Sequence, residues 1–130
     1  MSVAVLRISG ARFDVDRFVQ NYVITPDTSW RGGVSDSVGR VRANSGFNLT
    51  IADAPSTDTL VSQMTSWLQQ NEDALEALAM EGASGIVDIG LTVGTSDQFT
   101  ASVVLSPTEL ALLNRLGLGL SVSAYPASDP

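Results

Sequence analysis

The chain has 130 residues, a formal net charge of −7, and no Lys, His or Cys; its seven basic residues are all Arg. Those absences remove the side chains most used at neutral pH as general bases, Schiff-base amines, thiolate nucleophiles and zinc ligands. The acidic balance, with a sequence pI of about 4.2, speaks against nucleic acid and anionic membrane surfaces, which both attract basic stripes.

The length predicts one domain over residues 1–125, with a loose tail at 126–130. A chain of this size buries about two thirds of its unfolded surface, so it needs no disulfide framework. Only 16% of residues are charged, against roughly 25% in an average domain. A surface so poor in charge leaves room for self-association. The opening MSVAVLRISG has no basic start and predicts no signal peptide. No apolar run approaches the ~20 residues needed to span a bilayer. The expected location is cytoplasmic.

Residues 3–8 predict a strand with Ala4, Leu6 and Ile8 on one face. Residues 14–23 predict a helix: Val15, Phe18, Val19 and Tyr22 form one stripe, and Asp14 is its cap. Thr25-Pro26-Asp27 stops it, and a loop over 28–36 follows. A weak strand is expected at 37–43 and a stronger one at 46–52, joined by a hairpin turn at Asn44-Ser45-Gly46. Residues 57–81 are helical, capped by Thr57 or Asp58, with Asn71 suggesting a break into two helices. Residues 86–93 and 98–105 both alternate and predict a hairpin around Gly94-Thr95-Ser96-Asp97. Ser106-Pro107-Thr108-Glu109 has the pattern of a capping box, and Gly117 closes the helix that follows. A last strand is expected at 118–125.

The predicted order is β-α-β-β-α-β-β-α-β. It implies an α+β two-layer sandwich, a mainly antiparallel sheet with helices on one face. Its ferredoxin-like βαββαβ core is extended by a further βαβ. The sheet's other face is expected to be open and rich in Ser and Thr, at Thr50, Thr92, Thr100, Ser102, Ser121 and Ser123.

Carboxylates are the plausible acids and bases that remain. Asp88 points away from the apolar face of its strand, where pairing with an Arg such as Arg7 explains it more simply than chemistry does. Asp14 and Asp16 resemble a metal pair but also suit a helix start. Asp36, Asp53, Asp58, Asp73 and Asp97 fall at turns or caps. No dinucleotide fingerprint, P-loop, nucleophile elbow, calcium loop or zinc-protease motif is present. No catalytic residue, cofactor or metal site is therefore expected.

The segment that stands apart is Trp30-Arg31-Gly32-Gly33, an aromatic beside an Arg on a loop, the residue types enriched in interface hot spots. Arg40 and Arg42, two apart on a predicted strand, add a local basic spot. Trp30, Arg31, Arg40 and Arg42 are thus the candidate partner-binding residues. The simpler alternative folds Trp30 over the core edge and pairs the Arg residues with nearby Asp.

Four stretches, F-D-V-D-R-F, I-T-P-D-T-S-W-R-G-G, S-G-F-N-L-T-I and L-S-P-T-E-L-A-L-L-N-R-L-G-L-G-L-S-V-S-A-Y, resemble in order and spacing a family of small bacterial proteins known as a domain of unknown function. The resemblance covers nearly the whole chain and departs from the family pattern in the Gly- and Ser-rich second strand region. It implies a compact α+β cytoplasmic domain with no assigned activity, cofactor or catalytic residues.

The function these features favour is non-enzymatic, stoichiometric binding of a protein partner, such as a basic toxin that the protein neutralises, or of a second copy as a homodimer. The alternative is a small-molecule sensor or regulatory domain, with its ligand at a dimer interface or beneath the helices. A hydrolase using Asp14, Asp16 or Asp88 ranks last.

Overall fold

The computed structural model describes residues 1–35 and 37–127. In chain order the elements are β1 (Ser2–Gly10), α1 (Val15–Asn21), β2 (Thr28–Trp30), β3 (Ser45–Ala54), α2 (Thr57–Gln70), α3 (Glu72–Glu76), β4 (Ser84–Val93), α4 (Pro107–Arg115) and β5 (Leu118–Pro126). The strands form one sheet in the order β2-β3-β1-β4-β5. β1 lies antiparallel to both β3 and β4, β2 is antiparallel to β3, and β5 is parallel to β4.

β1 and β2 run the same way with β3 between them, which is the split βαβ arrangement expected of a ferredoxin-like core. The alternation in the sequence sets which face is buried. Ala4, Leu6 and Ile8 of β1 lie beside Val87, Ile89 and Leu91 of β4, all buried under the helices. Phe13 and Phe18 join Phe47 in an aromatic cluster at one end, with centroid distances of 5.3 Å between Phe13 and Phe18 and 6.0 Å between Phe18 and Phe47. Leu60, Met64 and Leu68 bring α2 onto the same core, and Leu112, Leu113 and Leu116 bring α4. In β3 the pairing with β1 shifts between Ala4 and Val5, so neighbouring Ile51 and Ala52 are both buried.

The helix ends follow their predicted caps, with one correction. Asp14 accepts from the Arg17 N–H at 3.1 Å, and Ser106 accepts from the Glu109 N–H at 3.3 Å with Pro107 in the first turn. Gly117 ends α4 at φ +68°, a backbone angle that side chains resist. α2 is capped by Ser56, not by Thr57 or Asp58: the Ser56 backbone is extended and its hydroxyl accepts from the Thr59 N–H. The break at Asn71 is real, and its side-chain amide donates to the Trp67 carbonyl at 2.9 Å.

The structure corrects the expected hairpin between 86–93 and 98–105. Residues 98–105 form no strand. Both edges of β4 are taken, by β1 and by β5, so no ladder remains for this segment to join. It crosses the helix side as extended chain, with Ala101, Val103 and Leu105 packed against the core and Phe99 76% exposed. Residues 94–117 are instead the long crossover that a parallel β4–β5 pair requires. The ferredoxin-like core is therefore extended by α4 and β5 and not by a full βαβ.

Residues 37–43 are not a strand either, and 44–46 is not a hairpin turn. That stretch carries one isolated bridge, Ser35 to Val41, with Gly39 at φ +83°. The partner of β3 on this side is β2, inside what the sequence presents as a loop. At the C-terminus Pro126 ends β5 and the Ala127 N–H donates to the Val93 carbonyl at 2.8 Å. The rest of the expected tail lies outside the described residues.

Candidate functional site

Trp30 is the last residue of β2, and the pairing places it opposite Gly46, which in turn lies opposite Ser9. Ser9 alternates with the core residues of β1, so the indole sits on the open face of the sheet and not on the core edge. Gly46 leaves the space it fills: a Cβ there would stand 2.6 Å from Trp30 Cζ2 and 2.9 Å from Ser9 Cβ. The indole N–H donates to Asn44 Oδ1 at 2.9 Å. Over the ring lies the Arg42 guanidinium, 4.7 Å from its centroid, a cation–π arrangement. Half-buried Trp30 is thus fixed from three sides, by Gly46 below, Asn44 at its edge and Arg42 above.

Arg31 takes a different role. Its Nε donates to Asp16 Oδ2 at 2.8 Å, and its Nη2 bonds Asp16 Oδ1. This fork ties the loop to the first turn of α1. It holds the Asp16 carboxyl below the ordinary carboxylate range and raises the Arg31 pKa. Arg31 therefore follows the simpler expectation, pairing with a nearby Asp. Arg40 is exposed in the same loop and makes interactions of its own. Because 37–43 is a loop, Arg40 and Arg42 are not strand neighbours, and Arg42 is directed to Trp30. Ser29, Trp30, Arg31, Val34, Ser35 and Arg42 line a hollow of about 140 Å³.

The loop itself is held by backbone. The Gly33 N–H donates to the Arg42 carbonyl at 2.9 Å, and the Gly32 N–H donates to the Ser45 hydroxyl at 2.8 Å. These bonds close the segment onto the start of β3 and bring Arg42 back to Trp30.

The carboxylates considered for chemistry go elsewhere. Asp88 receives Arg7 Nε at 3.0 Å across β1 and β4, on the open face. Asp14 caps α1, and Asp16 holds Arg31. Asp36 lies outside the described residues. Among the described residues no group of three or more His, Cys, Asp or Glu side chains is placed to hold a metal ion. Among them, too, no helix is long and apolar enough to cross a membrane.

The family described as "Domain of unknown function (DUF4279)" matches residues 1–127. The chain belongs to the DUF4279 family. No curated protein and no solved structure matches it. Every element of this DUF4279 chain lies within the matched span, including the Trp30 loop and the β5 edge.

Sequence reasoning missed Asn44 and Gly46 as parts of this site, and Asp16 as the partner of Arg31. Gly46 carries the one available signal, a glycine inside a strand, which marks close approach by another group. Nothing local links Trp30 with Arg42 or Asn44.

Proposed function

We propose that this DUF4279 chain is a single-domain, non-enzymatic binding protein that acts stoichiometrically on a protein partner in the cytoplasm, such as a basic toxin it neutralises. The observation that carries this reading is the Trp30–Arg42 stack. An aromatic ring at the end of β2 and a guanidinium from the exposed loop after it are held in one geometry before any partner arrives. Pre-ordering such side chains lowers the entropy cost of association, and Trp and Arg are the types that dominate interface energetics. The charge of −7 speeds encounter with a basic target and disfavours nucleic acid.

The test is affinity capture of the tagged chain from lysate of its own source, with the captured proteins identified by mass spectrometry. A stoichiometric partner lost in Trp30→Ala and Arg42→Ala, with both variants still folded, supports the reading. Capture that survives both substitutions overturns the assignment of this surface.

One observation favours the alternative, a small-molecule sensor. A groove of about 400 Å³ between α2 and the start of α4 is lined by Asp58, Ser62, Thr65, Ser106 and Glu109 among others. The Thr65 hydroxyl beside it is buried with no hydrogen-bond partner among the described residues, a state that normally calls for a water or a ligand. A thermal shift with one polar metabolite, reduced in Thr65→Val, would move the weight to this reading.

A further inference from the structure

The sheet ends in two different edges. At one, β2 is three residues long and runs into the Trp30 loop. At the other, β5 is nine residues long, and among the described residues it pairs only with β4. Half of the backbone groups of an edge strand point outward with no ladder to join, and natural edges are usually blunted by charge, shortness or cover. β5, with the sequence LGLSVSAYP, has no charged side chain at all.

The apolar pattern continues to that edge without being covered. Leu120 and Val122 lie beside Val87 and Ile89 of β4 and so share the helix face. Their β4 neighbours are fully buried, yet Leu120 is 38% and Val122 48% exposed. α4 adds to the same margin. Arg115 faces α3, where it pairs with Glu72 at 2.9 Å and Glu76 at 3.4 Å. Leu110, five residues earlier and so roughly 140° around the helix, points away from α3 and is 50% exposed.

We infer that β5 pairs antiparallel with β5 of a second copy of this chain, about a two-fold axis at Val122, joining the two sheets into one continuous sheet. The occupant follows from charge and from side-chain size. Two copies of a strongly acidic chain repel each other, so they can meet closely only where carboxylates are missing, and β5 is such a strip. The symmetric register is also self-complementary. It sets Val122 opposite Val122 and Leu120 opposite Ala124 on the helix face, large against small. On the open face it sets Ser121 opposite Ser123, and Tyr125 opposite Gly119. Pro126, which lacks an N–H, falls in the outermost pair, where its lost ladder bond matters least. A two-fold axis needs one patch to match itself, and this strand does. The surface lies at the opposite sheet edge from Trp30, so it stands independently of the proposed partner site.

The test is the solution mass of the full chain by light scattering across the micromolar range. The wild type should give twice the 13.7 kDa chain mass. Val122→Lys, which sets two like charges facing each other at the axis, should halve that mass with circular dichroism unchanged. Val122→Cys supplies a second readout that tolerates a poorly folding Lys variant. The native chain has no Cys, so mild oxidation should yield a covalent dimer from Val122→Cys and none from Val41→Cys. A wild type at single-chain mass overturns the inference. So does a dimer that survives Val122→Lys and fails to cross-link through Val122→Cys.

Discussion

The indole of Trp30 occupies the space that a side chain at Gly46 would need. A Cβ there would also collide with the Ile8 carbonyl oxygen, so Gly46→Val should both evict the ring and push β3 from β1, at a cost of about 3 kcal/mol or more. The check is chemical denaturation, with Trp30 fluorescence read in a Trp67→Phe background. An unchanged Trp30 emission in Gly46→Val would contradict the packing.

Arg42 and Trp30 separate stability from recognition. Arg42 contributes a partly exposed cation–π contact, so Arg42→Ala should cost no more than about 1 kcal/mol of stability. If the loop is the partner surface, the same variant should lose binding out of proportion to that small cost. Denaturant midpoint and partner affinity, measured on one preparation, decide between the two.

Phe18 and Phe99 test the placement of two aromatics that look equally apolar in sequence. Phe18 is buried among Phe13, Tyr22 and Phe47, and Phe18→Ala should cost about 3–5 kcal/mol. Phe99 is largely exposed on the crossover, and Phe99→Ala should stay within about 0.5 kcal/mol of wild type. A large cost at Phe99 would restore the hairpin that the sequence pattern suggests.

Two ion pairs set a direction for acid titration. Arg115 hydrogen-bonds Glu72 and lowers its carboxyl pKa, as Arg31 does for Asp16. A folded-state pKa below the unfolded one contributes stability at pH above the unfolded value, and that contribution is lost as pH falls through the folded value. Both carboxylates are solvent-screened, so the change in stability is small. Titration of the side-chain carboxyl carbons by NMR should place both midpoints below the ordinary carboxylate range. In Arg115→Ala the Glu72 midpoint should rise and that of Asp16 should stay.

Much of the fold was legible because its signals are local. The alternation in β1 and β4, the Asp14 cap and the Ser106-Pro107 start of α4 each follow from neighbouring residues and ordinary helix or strand physics. The pairing of Arg7 with Asp88 was legible too, since both sit on the outward face of predicted strands. The segment 98–105 misleads because alternation reports one-sided burial of an extended chain, and it cannot show whether the backbone has a ladder to join. β2 is too short to carry a pattern at all. Of the site, the residue types at Trp30 and Arg42 were visible, but their contact is not local. It exists because β2 pairs with β3 and the Gly32-Gly33 turn returns the chain to Ser45.

The position of β1 has a consequence for the order of folding. The first strand of this domain to be made is the middle strand of the sheet, and its two neighbours begin at Ser45 and Ser84. β1 can close its ladder with β3 once Ala54 has been made, but its other edge stays bare until β4 follows at Ser84–Val93. Both of its ladders close across long stretches of sequence, which is the slow kind of contact. Synthesis thus allows the β1–β3 pair first and the complete sheet only later, and the aggregation-prone interval, with one edge of β1 bare, falls before β4 emerges.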